Sequence, residues 1–181
     1  MGHPDFVGGP PARLSTNIGG IAMKSAKSSR HSKIAGDFGE SLVLYWLSKR
    51  GFECAKVDHT GIDLIANNPH TDEIMGISVK SRTRNKGTET DTVNIPSDDF
   101  RKVDEACNAF RCTPYFAIVV DANDLIRVFI LSKKDLLDLC PLKANCYWKM
   151  AEASLKEYAN HEGVMQFELQ ATHGHWWQST K

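Results

Sequence analysis

Long hydrophobic runs, net charge and paired cysteine motifs are all missing from this sequence of 181 residues. Its densest apolar runs, residues 42–47 and 116–120, are far shorter than the roughly 20 apolar residues that a membrane helix needs. No basic-apolar leader opens the chain, and its five cysteines include no CxxC pair. The sequence therefore predicts a cytoplasmic protein with reduced thiols and no association with a membrane.

The formal net charge is zero, because 22 basic residues meet 22 acidic ones. This balance excludes a protein that coats nucleic acid through bulk charge. The charges are unevenly placed, however, since residues 1–86 have an excess of basic residues and residues 87–181 an excess of acidic ones. Two clusters of the basic half contain no acid: Lys24, Lys27, Arg30 and Lys33, and then Lys80, Arg82, Arg84 and Lys86. They indicate either solvated surface or a local patch that faces phosphate.

The order of predicted elements along the chain indicates one folded domain between two tails. Residues 1–31 are rich in Gly, Pro, Ser and Lys and predict a flexible basic tail, and residues 171–181 are assigned to a C-terminal tail. Between them, residues 32–170 alternate helical and strand patterns in the order α-β-β-β-α-β-β-α. That order predicts an α/β domain in which helices flank a mixed central sheet.

The first predicted helix begins near Ser32, a candidate N-cap, and stops at Gly51. Within it, Gly36 and Gly39 lie three residues apart, where missing side chains would allow another backbone to approach closely. The second long helix is predicted to begin after Pro96, with Ser97 as its N-cap.

The predicted strand from Glu73 to about Arg82 has an apolar face and a face with Ser78 and Lys80. A lysine in the middle of a strand beside a core is costly unless it is paired or hydrated. A hairpin with the preceding strand would bring Asp63 towards Lys80, and Glu40 lies on the helix before both. One interpretation is a structural Asp63–Lys80 ion pair with Glu40 facing solvent; the other is a hydrolytic site for a divalent cation.

Three segments, GDFGESLVLYWLSKRGFE, GIDLIA and MGISVKSR, together resemble the core of the PD-(D/E)xK nuclease superfamily. The resemblance is greatest to its archaeal Holliday-junction-resolvase and restriction-endonuclease-like branches. It covers about residues 33–82 at the level of motifs and extends less specifically to about residue 132. It implies a restriction-endonuclease-like core, a metal-dependent endonuclease that acts on DNA, and in many members a homodimer.

The resemblance also implies roles for particular residues of this chain. Glu40 and Asp63 would hold Mg²⁺ or Mn²⁺ with help from the backbone carbonyl of Val79, and Lys80 would serve the attacking water. Ser78 departs from the pattern, which has Glu or Asp there, and a neutral hydroxyl is a weak or water-mediated contact for a hard cation. Two functions therefore stay open: a nuclease, or a catalytically degenerate module that binds nucleic acid without cutting it.

The basic clusters complete the predicted site. Lys80, Arg82, Arg84 and Lys86 share one parity, so an extended chain would align them as a track for phosphates, unless the strand ends near Arg82. The cluster Lys24, Lys27, Arg30 and Lys33 would form an arm that adds non-specific phosphate contacts. DNA is the expected partner, and RNA is the alternative that the residues leave open.

Overall fold

The computed structural model describes residues 27–122 and 124–170. Lys24, most of the predicted N-terminal tail and the predicted C-terminal tail lie outside the described residues. Four helices are present in the described chain: α1 His31–Lys49, α2 Ser97–Phe110, α3 Lys133–Leu139 and α4 Glu152–Ala159. None of them is long and apolar enough to cross a membrane.

Eight strands form two sheets in the described chain. Their bounds are β1 Glu53–His59, β2 Ile62–Asn67, β3 Ile74–Arg84, β4 Val93–Pro96, β5 Thr113–Ala122, β6 Leu125–Ser132, β7 Asn145–Trp148 and β8 Val164–Gln170. The large sheet has the order β1-β2-β3-β5-β6-β8, and only its β3–β5 pairing is parallel. This mixed sheet with helices against it confirms the predicted α/β class.

The central strand β3 is covered on both faces, and its alternation determines where the polar side chains point. Met75 and Ile77 pack into the core formed with α1, together with Val43 and Leu47. The opposite face lies against α2, because a Cβ on Gly76 would come within 2.6 Å of the sulfur of Cys107. Even-numbered residues of β3, among them Ser78 and Lys80, therefore face α2.

The second sheet pairs β4 with β7 and was absent from the sequence-based prediction. Both strands are only four residues long. Trp148 of β7 is fully buried and stacks on Tyr158 of α4 with ring centroids 3.7 Å apart. This small sheet leads the chain through β4 directly into α2.

Both predicted serine caps are wrong, for the same reason. Arg30 is the N-cap of α1, and Ser32 already lies inside the helix. Pro96 is the N-cap of α2, with an extended ψ of 146°, so Ser97 is the first helical residue. A serine inside the first turn no longer has the extended backbone from which its hydroxyl reaches a free N–H group.

Candidate active site

Asp63 lies where the pairing between β2 and β3 ends. The regular ladder runs from Asn67–Ile74 to Leu64–Ile77. At the next residue the Asp63 carboxylate accepts a hydrogen bond of 2.6 Å from the backbone N–H of Val79. A side chain has thus replaced a main-chain acceptor, and the half-buried carboxylate sits between the two strands.

The surroundings of Asp63 raise its pKa above the usual value for aspartate. Burial is the largest cause, and the nearby Glu40 carboxylate adds to it. The Val79 N–H and the charges of Lys80 and Lys56 act in the opposite direction without cancelling the effect. The ionised form of Asp63 is therefore less favourable here than in water, mainly because the carboxyl group is buried.

Glu40 faces Asp63 across a cavity of about 450 Å³ that both residues line. Its side chain is 23% exposed, and its Oε2 lies 2.7 Å from Nζ of Lys56 on β1. The interpretation that Glu40 merely faces solvent is therefore wrong. The sequence analysis did not identify Lys56. Its position on an exposed strand beside the predicted acids could have indicated that it pairs with one of them. His59 lines the same cavity, and its ring packs edge-on against Phe110.

Lys80 pairs with Asp99 of α2 and not with Asp63. Its Nζ lies 2.8 Å from Oδ2 of Asp99, and the two side chains are 19% and 23% exposed. The predicted structural ion pair between Asp63 and Lys80 is wrong, because the Asp63 carboxylate accepts from Val79 while Lys80 points towards α2. Asp99 is the main site residue that sequence reasoning missed.

A second cavity, of about 240 Å³, lies between β3 and the start of α2. It is lined by Asp63 as well as by Ser78, Val79, Lys80 and Asp99. Asp63 lines both cavities and therefore lies between the Glu40 side and the Lys80 side of the site. The other four residues predicted from the motif, Glu40, Ser78, Val79 and Lys80, thus line the cavities that Asp63 borders.

The turn between β1 and β2 fixes the start of α2 beside this cavity. Gly61 has a φ of +109°, and a Cβ there would lie 2.3 Å from the carbonyl oxygen of Lys102. Both the backbone conformation and the close approach require glycine. The contact holds the second turn of α2, which directly follows Asp99, against the start of β2.

The donor set fits a hard divalent cation. Glu40 and Asp63 line one cavity, and Asp63 and Asp99 line the other. Mg²⁺ typically takes only one or two protein carboxylates while water and substrate phosphate complete its shell. Among residues 27–122 and 124–170, no three His, Cys, Asp or Glu side chains are close enough to form a ready-made site. Val79 contributes its N–H to Asp63, while a role for its carbonyl stays a prediction.

The basic residues after Lys80 have specific partners on the protein. Strand β3 continues through Arg84, so the alternative that it ends near Arg82 is wrong. Arg82 donates to the carbonyls of Ser81 and Asn94, and Arg84 donates to those of residues 91 and 92. Lys86 lies exposed in the turn after β3, where Gly87 has a φ of +89°. Arg82 and Arg84 thus tie down the segment that leads to α2, and Lys86 faces solvent.

The described part of the other basic cluster lies at the start of α1. Lys27 donates to the carbonyl of Thr83 at 3.0 Å, which places it beside the end of β3. Arg30 is the N-cap, and Lys33 forms an exposed ion pair with Asp37 at 3.2 Å. The contact of Lys27 brings the two basic clusters together at one end of the sheet, and their role towards nucleic acid stays a prediction.

No family model matches this chain, and no curated protein matches it. Among solved structures, the chain is similar to Hjc of Archaeoglobus fulgidus, a Holliday junction resolvase from an archaeal hyperthermophile. The two share 17% sequence identity with a TM-score of 0.46, and the similarity covers 65% of this chain and 91% of the resolvase. A likeness of this degree concerns the fold alone, so the function is argued below from the site.

Proposed function

We propose that this protein is a metal-dependent endonuclease that hydrolyses DNA phosphodiester bonds. The observation that carries the proposal is the position of half-buried Asp63, which lines one cavity together with Glu40 and a second one together with Lys80. Acidic groups on one side and an ammonium on the other are what phosphate-ester hydrolysis requires. The motif resemblance of residues 33–82 points to the same chemistry.

Each residue has a distinct task in this proposal. Glu40 and Asp63 would hold Mg²⁺ or Mn²⁺, which when bound polarises a phosphate oxygen and lowers the pKa of a water molecule. The Lys80 ammonium orients the attacking water and stabilises the negative charge that develops on the phosphate. The Val79 N–H fixes the orientation of the Asp63 carboxylate through their 2.6 Å hydrogen bond. Exposed Lys86, with Lys27 nearby, supplies contacts to the phosphates of the strand.

Ser78 and Lys56 favour a second candidate function, a module that binds DNA without cutting it. Ser78 places a neutral hydroxyl where the motif has an acid, and the Lys56 ammonium already compensates Glu40 at 2.7 Å. Both features weaken the attraction for a divalent cation. The fold and the basic residues would then serve binding alone.

Cleavage of DNA by the purified full-length chain separates the two candidates. We expect nicking of supercoiled plasmid or cutting of a four-way junction with Mn²⁺, and a loss of at least about 100-fold in Lys80→Ala. Lys156→Ala removes an exposed lysine of α4 and is the matched control. Equal cleavage by Lys80→Ala would contradict the assigned site. A wild-type chain that binds these DNAs and cuts none of them would establish the binding module.

A homodimer remains part of the proposal. Light scattering coupled to size exclusion, with and without a four-way junction, measures whether two chains assemble on one substrate.

A further inference from the structure

The residue two positions before Lys80 is unusual because it is both neutral and deeply buried. Ser78 is only 2% exposed, yet it lines the cavity between β3 and α2. Its hydroxyl forms no hydrogen bond with any other residue of the described chain. It borders a space that two carboxylates, those of Asp63 and Asp99, also line.

Asp99 lies on the other side of that cavity, in the first turn of α2. Its Oδ2 contacts Lys80 at 2.8 Å, and its side chain lines the same space as Asp63 and Ser78. The close contact of Gly61 with α2 holds it there. The carboxylate is therefore placed by the fold and not by a flexible loop.

The neighbouring Asp98 differs from Asp99 in its exposure and in its partners. Asp98 is 51% exposed and is paired with Arg101 at 2.6 Å and Lys102 at 2.7 Å. These partners lower the pKa of its carboxyl and engage both of its oxygens. Asp99 is 23% exposed, is paired through Oδ2 with Lys80, and lines the cavity.

We infer that Asp99 supplies the carboxylate that Ser78 lacks, and that it binds the same divalent cation as Asp63. The inference rests on the proposed function and deepens it. With Asp99 included, the side chains that line the two cavities carry five negative charges against four positive ones; the acids are Asp37, Glu40, Asp58, Asp63 and Asp99, and the bases are Lys33, Lys56, Lys80 and Lys102. A hard cation that prefers charged oxygen thus finds the missing acid on α2 instead of β3.

Binding of Mn²⁺ to the full-length chain, followed by electron paramagnetic resonance, tests the inference without an activity assay. We expect Asp99→Asn to weaken Mn²⁺ binding by at least about tenfold, which is the scale on which loss of a supporting or ligating group acts. Asp98→Asn is the matched control on the same turn and should bind Mn²⁺ like the wild type. Thermal melts without metal verify that each variant is folded.

Moving the carboxylate back to β3 gives a second, independent test. Ser78→Asp should restore Mn²⁺ binding in the Asp99→Asn background and should change it much less in the wild type. If Ser78→Asp unfolds the chain, the comparison of Asp99→Asn with Asp98→Asn decides alone. If Asp63→Asn loses Mn²⁺ while Asp99→Asn keeps it, the inference on Asp99 is overturned and the proposed function stands. A wild-type chain that neither binds Mn²⁺ nor cuts DNA overturns both.

Discussion

Replacement of Gly39 by alanine tests how α1 is held against the sheet beside the candidate site. Gly39 is buried in α1 immediately before Glu40. A Cβ at this position would lie 1.8 Å from Oγ and 3.1 Å from Cβ of Ser81 on β3. The first distance is a severe overlap, so either the serine hydroxyl must rotate or the helix must move outward. At Gly36, three residues earlier, an added methyl group would have nothing within 4 Å, so this position provides a matched control.

The two substitutions differ in their expected effect on stability. Alanine is favoured over glycine inside a helix by about 1 kcal/mol, so Gly36→Ala should stabilise the protein by about that amount. Gly39→Ala gains the same contribution but adds overpacking, which typically costs about 1–3 kcal/mol. Because the helical contribution is common to both variants, the difference between them measures the overlap with Ser81 and should be about 1–3 kcal/mol.

Ser81→Ala isolates the cause of that difference. The Ser81 hydroxyl is buried without a hydrogen-bond partner, so its removal alone should leave stability unchanged or raise it. In the Ser81→Ala background, the nearest remaining atom to the new methyl group is Cβ at 3.1 Å, which a shift of a few tenths of an ångström accommodates. We therefore expect Gly39→Ala to cost much less there, with a coupling of about 1 kcal/mol or more.

Urea denaturation followed by far-UV circular dichroism gives the four free energies of unfolding that this cycle needs. DNA cleavage supplies a second readout, because an outward shift of α1 moves Glu40 away from Lys56 and Asp63. Cleavage should fall in Gly39→Ala and stay at the wild-type level in Gly36→Ala. Equal stabilisation by both glycine substitutions would refute the close packing of α1 on β3.

Two further predictions concern charge. Asp63→Asn should raise the melting temperature near neutral pH. Burial raises the pKa of Asp63, so the folded chain binds the carboxyl proton more tightly than the unfolded chain does. The wild type therefore loses stability as the pH rises from the pKa of Asp63 in the unfolded chain to its pKa in the folded chain. Calorimetry of both proteins across pH checks this, and an unchanged pH dependence would contradict it. Lys86→Ala should lower the slope of log affinity for DNA against log salt concentration by about 0.9 without altering the melting temperature. Arg84→Ala should instead lower the melting temperature, because two loop carbonyls lose their hydrogen-bond donor. Fluorescence anisotropy and thermal melts separate these two effects, and the reverse pattern would refute the assignment.

The central strands could be predicted from the sequence because their information is local. Alternation from Met75 to Lys80 determines which face is apolar, and the turn at Gly61 sets the hairpin that aligns β1 with β2. The glycine pair was predicted less well. Gly39 does allow close packing, but against a side chain of β3. A Cβ added at Gly36 would have nothing within 4 Å. Sequence spacing identifies the helix face but not the distance to the element opposite it.

The small sheet of β4 and β7 is the part of the fold with the weakest sequence signal. Each strand is four residues long, and a run of that length shows no reliable alternation. Its strongest feature, the stacking of Trp148 on Tyr158, joins residues on β7 and α4 that only the folded chain brings together. The sheet matters for the site because α2 begins immediately after β4, so the position of β4 determines where the first turn of α2 lies.

The partner of Lys80 could not be predicted for a related reason. The motif describes acids by their distance along β3, but a cation responds only to where carboxylate oxygens lie in space. Asp99 is 19 residues after Lys80 in the sequence, and it reaches the cavity only because the Gly61 turn fixes α2 there. In the sequence alone, Ser78 therefore counts as a lost ligand. In the folded chain Asp99 of α2 lines the same cavity as Ser78. If Asp99 binds the cation as we infer, the substitution at position 78 is not by itself a sign of a degenerate site.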